Sequence, residues 1–180
     1  KEIPTLIFEG HSTDYQKASS LKEMVEDGIG ILKVGPALTF AMREAVFMLN
    51  HIENEIFQQD PNIELSHFIE TLDQVMAANP SEWAGHYHGS DKEIQFCCKY
   101  SFSDRSRYYM GHDIVVNALN KMMKNLNSTD IPLGVISQYM PEQYGKIRNG
   151  TLRNDPAALI KDKIKNVLEY YDYAVHPAKH

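Results

Sequence analysis

TLIFEGHSTD at residues 5–14 and IGILKVGP at residues 29–36 share one arrangement, an apolar run followed by a polar turn that contains glycine. After each turn, apolar residues recur at helical spacing. The 24 positions from Ile7 to Ile31 suit one strand, one helix and two short loops. The two stretches therefore predict successive β/α units with parallel strands, buried on both faces as in doubly wound or barrel folds.

The rest of the chain is predicted to be helical. After residue 57 the strand pattern disappears, and apolar residues recur every three or four positions in several stretches. Ser90 and Glu93 form a capping box that opens one of these helices, and Asp155 is a suitable N-cap for the last one. We expect the apolar stripes on these helices to pack in the core.

Two strands are too few for a stable parallel sheet, and a complete eight-unit barrel needs about 250 residues. The lengths therefore favour an α/β chain that is the C-terminal part of a larger fold, followed by a helical extension. We assign residues 1–57 to the last two β/α units and residues 58–180 to the extension, with further strands expected upstream. The alternative is that the two strands join a small sheet inside a mostly helical domain.

The composition is that of a folded protein with an acidic net charge. The 180 residues include 18 Lys and Arg against 24 Asp and Glu, a net charge of −6, and 43% are hydrophobic. This apolar content excludes a mainly disordered chain. The charge argues against nucleic-acid binding, and no apolar run reaches the roughly 18–20 residues of a membrane span. Cys97 and Cys98 are adjacent, so we expect reduced thiols and a cytoplasmic location.

Residues that follow the two predicted strands are candidates for binding a phosphate or a phosphorylated substrate. Ligands of parallel α/β folds bind at the C-terminal ends of strands, where helix N-termini favour anions. Glycine lets the backbone approach a ligand, and lysine adds positive charge. The candidates are Gly10, His11, Ser12, Lys33 and Gly35. Ordinary turn and cap chemistry is the alternative explanation for these residue types.

Two further clusters lie in the predicted extension. Arg105 and Arg107, beside a serine and two tyrosines, suit bidentate recognition of a phosphate, although ion pairing within a helix cap is equally compatible with them. His86 and His88 have a spacing that places both imidazoles on one side of an extended segment. No third ligand stands in register with them, so we expect surface histidines.

Neither the carboxylate pairs nor a search for short catalytic and nucleotide-binding motifs gives a sign of enzymatic chemistry. Glu53 and Glu55 are expected on a solvated helix face. The chain lacks the G-x-x-x-x-G-K-[ST] loop of P-loop kinases, although kinases of other folds do not need it, and it lacks a Gly-x-Ser-x-Gly nucleophile elbow.

Four ordered segments resemble a known family. They are FEGHSTDYQ at residues 8–16, ILKVGPALTFA at 31–41, YSFSDRSRYY at 100–109, and IPL followed by QYMPEQY between 131 and 144. In this order they resemble the accessory subunit of class II D-tagatose-1,6-bisphosphate aldolase, over nearly the whole chain but only the C-terminal part of the family's longer sequence. The resemblance implies a (β/α)8 barrel of the TIM type, of which this chain carries the last strands and a mostly helical extension.

The resemblance also implies a supporting role in galactitol and N-acetylgalactosamine breakdown, where a separate zinc-dependent subunit cleaves the ketose bisphosphate. Catalytic class II aldolases carry a His-Gly-Gly-Ser-Gly motif at the end of the corresponding strand, and its His binds zinc. When Gly10 is aligned with the first glycine of that motif, Glu9 stands in the position of the zinc-binding His. On the next strand these catalytic aldolases carry Lys-Ile-Asn. In this chain Lys33 and Val34 are followed by Gly35, so glycine stands in the position of the Asn. A non-catalytic subunit without its own metal is therefore expected. It would pack its apolar extension against the catalytic subunit or a second copy, and a sugar phosphate is a candidate ligand.

Two other functions remain open at this point. The chain could be an enzyme in its own right, a metal-dependent epimerase or aldolase acting on ketose phosphates, with Glu9, His11 and Asp14 near the metal. A sugar-phosphate kinase is a weaker alternative.

Overall fold

The two predicted β/α units form a small parallel sheet. The structure, a computed structural model, describes residues 6–176. In it β1 (Phe8–Gly10) lies beside β2 (Ile29–Leu32), and α1 (Ala18–Glu26) crosses between them. The strands are parallel, which confirms the predicted pairing. Thr5, at the start of the first predicted strand, lies outside the described residues.

The register of the sheet brings the ends of the two strands together. Glu9 is opposite Ile31 and Gly10 is opposite Leu32. Gly10 is buried, and a Cβ atom at this position would lie 2.8 Å from Cε of Met24 on α1. The glycine is therefore explained by close packing of α1 against the strand.

Most of the sheet is exposed, whereas the sequence predicts burial on both faces, and of the seven strand residues only Gly10 is buried. Ile7, Phe8 and Ile31 are 69%, 59% and 48% exposed. The reason is that α1 packs against only part of the sheet, and no other strand lies beside β1 or β2 among residues 6–176. The described fold is thus mixed α/β, mostly helical with a two-stranded sheet.

Seven helices follow β2 within the described residues. They are α2 (Ala37–Phe57), α3 (Phe68–Ala78), α4 (Asp91–Tyr100), α5 (Asp113–Asn127), α6 (Leu133–Tyr139), α7 (Pro141–Arg148) and α8 (Pro156–Val175). Short 3-10 turns lie at Pro80–Glu82 and Arg105–Tyr108. None of the helices between residues 6 and 176 combines the length and the apolar character needed to cross a bilayer.

Helix α2 is the centre of the core. Helices α3, α5, α6 and α8 all pack against it, and Ala45, Leu49 and Ile52 are fully buried. Helix α8 also packs along α1, so the C-terminal helix contacts both helices of the β/α units. The boundary between residues 1–57 and 58–180 stays a prediction, since the helices of the two parts share contacts.

The predicted signals that open helices are confirmed. The N–H of Ser90 donates to Glu93 Oε2 at 2.8 Å, and the N–H of Glu93 donates to Ser90 Oγ at 3.4 Å, the reciprocal pair of a capping box. Asp155 Oδ1 accepts the N–H of Ala158 at 2.9 Å. Gly28, with φ of 95°, follows the end of α1 in the left-handed region that favours glycine.

Glu53 corrects the expectation of a solvated helix face. Its side chain is fully buried, whereas Glu55 two residues later is exposed. The Glu53 carboxylate accepts the N–H and the hydroxyl of Ser66 and the side-chain amides of Asn50 and Asn125. These donors come from α2, α5 and the segment before α3, so the carboxylate joins three parts of the chain inside the core.

Candidate functional site

An exposed charge cluster lies at the C-terminal ends of the two strands. Glu9 Oε1 is 2.8 Å from Lys33 Nζ and 2.8 Å from His11 Nε2. The hydrogen bond from Lys33 is the main reason that the pKa of Glu9 lies below its ordinary value, and the charge of His11 acts in the same direction. Three of the residues singled out from sequence are therefore in direct contact.

Asp14 turns away from this cluster and binds the start of α2. Its carboxylate accepts the N–H of Gly35, at 2.8 Å to Oδ1, and the N–H of Ala37 at 2.9 Å. These donors lie at the helix N-terminus, which favours negative charge. The N–H of Gly35, predicted to face a phosphate, therefore already donates to a carboxylate of the same chain. Phosphate binding at Gly35 stays a prediction.

Thr13 connects the strand ends to the C-terminal helix. This buried side chain donates its hydroxyl to the carbonyl of Lys33 at 2.7 Å, and the hydroxyl of Tyr171 on α8 lies 2.9 Å away. Burial raises the pKa of Tyr171. The contact between Thr13 and Tyr171 could not be read from the sequence, since nothing local connects positions 158 apart.

The loop between β1 and α1 holds two residues in the left-handed backbone region. Ser12 has φ of 58° and Tyr15 has φ of 62°. A bulky residue rarely adopts this conformation unless its surroundings fix it, and such positions cluster at functional sites. It also explains why α1 begins at Ala18 and not near Tyr15, where the helical pattern starts. Two such residues in one short loop make it a candidate functional loop of the first β/α unit.

Tyr15 joins that loop to the segment after α4. Its hydroxyl donates to the carbonyl of Phe102 at 2.6 Å, and the two ring centres are 4.8 Å apart. Phe40, in the first turns of α2, stacks on Phe102 with 5.1 Å between ring centres. Burial, with a smaller contribution from Asp104, raises the pKa of Tyr15, whereas the charge of Arg107 acts to lower it. The segment that carries the predicted arginine cluster is therefore joined to the strand-end loop through Tyr15 and Phe102.

Arg105 and Arg107 both hold the backbone of their own region. Arg105 Nε donates to the carbonyl of Glu82 at 2.5 Å, and Arg107 Nη1 donates to the carbonyl of Asp104 at 2.9 Å. Both guanidinium groups lie over the ring of Tyr108, at 4.7 and 4.4 Å from its centre. Neither is ion-paired with a carboxylate among residues 6–176, so the alternative of a cap ion pair is not seen there. Phosphate contact at these arginines stays a prediction.

Asp104 fixes this arginine segment to α2. It has φ of 45°, and its buried carboxylate accepts Arg43 Nε at 3.0 Å, the hydroxyl of Thr39 at 2.6 Å and that of Ser106 at 2.7 Å. Arg43 and Asp104 are 2% exposed or less. Asp104 stands in the YSFSDRSRYY segment quoted above, but its partner on α2 could not be read from the sequence.

The two histidines weighed as metal ligands are both exposed, and the tyrosine between them is the buried residue. Tyr87 Oη lies 3.0 Å from Ser103 Oγ and accepts the N–H of Arg105 at 3.2 Å. Tyr87 therefore supports the arginine segment, while His86 and His88 point to the surface.

The residues at the strand ends do not fit a zinc ion. Zinc sites need at least three protein ligands. Glu9 and His11 are together, but the carboxylate of Asp14 is engaged at the α2 N-terminus, and the ammonium of Lys33 lies beside Glu9. Across residues 6–176, His, Cys, Asp and Glu side chains form no group of three that could hold a metal.

Comparison with known proteins decides the family. The model of the family described as D-tagatose-1,6-bisphosphate aldolase subunit GatZ/KbaZ-like matches residues 1–176. The chain belongs to this family. Its relatives include proteins named D-tagatose-1,6-bisphosphate aldolase subunit GatZ from Escherichia coli O1:K1 and from Escherichia coli strain SMS-3-5. Each is 44% identical over 172 residues, which is 96% of this chain and 40% of the relative.

A solved structure has the same fold over most of the chain. It is titled a probable tagatose 6 phosphate kinase from Sinorhizobium meliloti 1021. The sequence identity is 39%, the TM-score is 0.87, and the match covers 93% of this chain and 43% of that one. The chain therefore spans less than half the length of the GatZ/KbaZ-like relatives and of this neighbour.

Three of the four segments that resemble the GatZ/KbaZ-like family meet in space. Residues 8–16 and 31–41 form the strand ends and the start of α2, and residues 100–109 contact both through Tyr15 and Asp104. The fourth segment contains α6 and α7, which pack against α2 and α8 respectively. The family-like sequence thus maps mainly onto one candidate site, with α6 and α7 as support.

Proposed function

We propose that this chain is part of a non-catalytic subunit that stabilises and activates a zinc-dependent D-tagatose-1,6-bisphosphate aldolase. The observation that carries the proposal is the 44% identity to proteins named as this aldolase subunit over 96% of the chain. Galactitol and N-acetylgalactosamine catabolism in the cytoplasm is the setting that we propose for it. The free thiols of Cys97 and Cys98 are compatible with that location.

The exposed side of the sheet supports a larger barrel in the whole protein. Ile7, Phe8 and Ile31 leave apolar surface open on a sheet of two strands, and isolated pairs of parallel strands are not stable. We propose that β1 and β2 are the last two strands of a (β/α)8 barrel, whose other strands cover this surface. The strand ends would then lie at the face where barrel enzymes bind their ligands.

The charge cluster supports ligand binding without metal catalysis by this subunit. A carboxylate held by Lys33 and His11 is already neutralised, and a third metal ligand is not in reach. Lys33, His11 and Arg107 are the side chains that we propose for a sugar phosphate. The zinc of the complex would then belong to the catalytic subunit.

The test is reconstitution with the catalytic subunit. The zinc-dependent subunit is assayed for cleavage of D-tagatose 1,6-bisphosphate and for its thermal midpoint, with and without the full-length protein that contains this chain. Higher activity and a higher midpoint in the mixture are expected, together with comigration on a sizing column. Unchanged activity and midpoint would contradict the proposal. Zinc or manganese bound stoichiometrically to the isolated protein, with activity lost in Glu9→Ala, would instead favour an enzyme in its own right.

A kinase is a second candidate because the solved neighbour with a TM-score of 0.87 is titled a probable tagatose 6 phosphate kinase. The chain lacks a P-loop, but kinases of other folds do not need one. Calorimetric titration of the full-length protein with ATP and magnesium separates the candidates. Saturable nucleotide binding with phosphate transfer to tagatose 6-phosphate would favour the kinase, and no nucleotide binding is expected for the aldolase subunit.

A further inference from the structure

A cavity lies behind the strand-end loop, between the helices of the β/α units and α8. Its volume is about 140 Å³. Residues from the β1–α1 loop, α1, α2 and α8 form its wall, among them Thr13, Leu21, Ala41, Glu44, Val167 and Tyr171. It is separate from the Glu9–Lys33–His11 cluster, since none of those three side chains lines it.

The cavity has an apolar floor and an accessible mouth. Leu21, Ala37 and Ala41 at the floor are 3% exposed or less, whereas Tyr15 and Tyr170 at the mouth are 46% and 53% exposed. An engineered apolar cavity of about 150 Å³ in another protein binds benzene. The space available here is therefore enough for a six-membered ring.

The charges around the cavity select against anions. Among residues 6–176, Glu44 is the one charged side chain in its wall, and its carboxylate lies 3.6 Å from Lys163 Nζ, which balances that charge from outside the cavity. An anionic ligand would face Glu44 without a cation in the wall, and a charged group of either sign would lose its hydration against carbon. A neutral hydroxyl can donate to the half-buried carboxylate. These features exclude a sugar phosphate and favour an uncharged ring with one hydroxyl.

We propose that this cavity is a binding site for a small uncharged cyclic molecule with one hydroxyl group, distinct from the strand-end charge cluster. The molecule would pack against Thr13 and Tyr171, whose hydroxyls are 2.9 Å apart. Thr13 also binds the carbonyl of Lys33. A ligand in the cavity therefore contacts the side chain that holds the Lys33 backbone, so its binding should be sensed at the strand end behind the charge cluster.

The test uses phenol as the probe and the full-length protein that contains this chain. Phenol is titrated while amide and methyl NMR signals are followed, and saturable binding with a dissociation constant of about 1 mM is expected for a ligand of this size. Ala41→Leu and Val167→Phe fill the cavity from opposite walls and should each weaken phenol binding about tenfold or more. Ala84→Leu, at an exposed position outside the cavity, should leave it unchanged.

Three results decide the proposal. Benzoate, which has the same ring with a negative charge, should not bind at the concentrations at which phenol saturates the cavity. Phenol should shift the amide signals of Thr13 and Lys33, and Tyr171→Phe should reduce the shift at Lys33. Absence of phenol binding at roughly 10 mM, or binding that neither filling variant weakens, would overturn it. The outcome is independent of the aldolase test, since it involves no partner subunit.

Discussion

Asp14 and Gly35, on different β/α units, are joined by a carboxylate that accepts a backbone N–H at 2.8 Å. The same oxygen accepts the N–H of Ala37, so the carboxylate caps α2 from outside that helix. It lies where the helix dipole favours an anion. The chain thus fixes the spacing of its two strand ends with its own negative charge.

Removing the Asp14 carboxylate should loosen this junction. Asp14→Ala leaves two N–H donors without their acceptor, and the cost in unfolding free energy should be about 1–2 kcal/mol. Asp14→Asn keeps one acceptor oxygen and should lose less. Urea denaturation followed by circular dichroism measures both. Asp130→Ala, at an exposed position between α5 and α6, is the matched control. Equal midpoints for Asp14→Ala and the control would show that the carboxylate is not needed.

Glu53 and Glu55 provide a matched pair on one helix. Glu53→Ala leaves buried donors of Ser66, Asn50 and Asn125 without an acceptor, so a loss of about 3 kcal/mol or more is expected. Glu55→Ala removes an exposed carboxylate that accepts one hydroxyl, and should change stability by no more than about 0.5 kcal/mol. Chemical denaturation of the two variants is the measurement. Similar losses for both would contradict the buried network.

The ion pair between Arg43 and Asp104 should be costly to break from one side. Arg43→Met leaves a buried carboxylate without its cation, and the expected loss is about 3–5 kcal/mol. Asp104→Asn retains a residue type tolerated at positive φ and one acceptor oxygen, which can serve Thr39 or Ser106 but not both, since their hydroxyls bind different carboxylate oxygens. The double variant should lose less than the sum of the single variants. Thermal unfolding of the two single variants and the double variant gives a double-mutant cycle. If the stability losses of the single variants add up to that of the double variant, the two charges are not coupled.

Glu9 should titrate below its ordinary pKa of about 4.3 because of Lys33. Since its pKa is lowered in the folded chain, the stabilisation is present above the ordinary pKa and is lost as pH falls through the lowered value. Lys33→Met should raise the pKa of Glu9 more than His11→Ala does, because the Lys33 hydrogen bond is the larger cause. Carboxyl carbon NMR shifts against pH measure it. A larger increase of the Glu9 pKa in His11→Ala than in Lys33→Met would refute the conclusion that Lys33 is the main cause of the lowered pKa.

Local patterns in the sequence determined the elements of this protein. Apolar runs with glycine-containing turns specify β1 and β2, and the capping residues Ser90 and Asp155 specify where two helices begin. The four segments between residues 8 and 144 specify the family. These features depend on residues close together in the chain, so spacing alone reveals them.

The tertiary structure alone decided which residues act together. Thr13 meets Tyr171 across 158 positions and Arg43 meets Asp104 across 61, and no periodicity encodes such contacts. Glu53 lies on α2 at a position where the sequence predicts a solvated face. Its burial becomes favourable only because hydrogen-bond donors from α5 and from the segment before α3 converge on its carboxylate. Hydrogen-bond partners from distant parts of the chain offset the cost of burying polar groups, and tertiary packing sets where those partners lie.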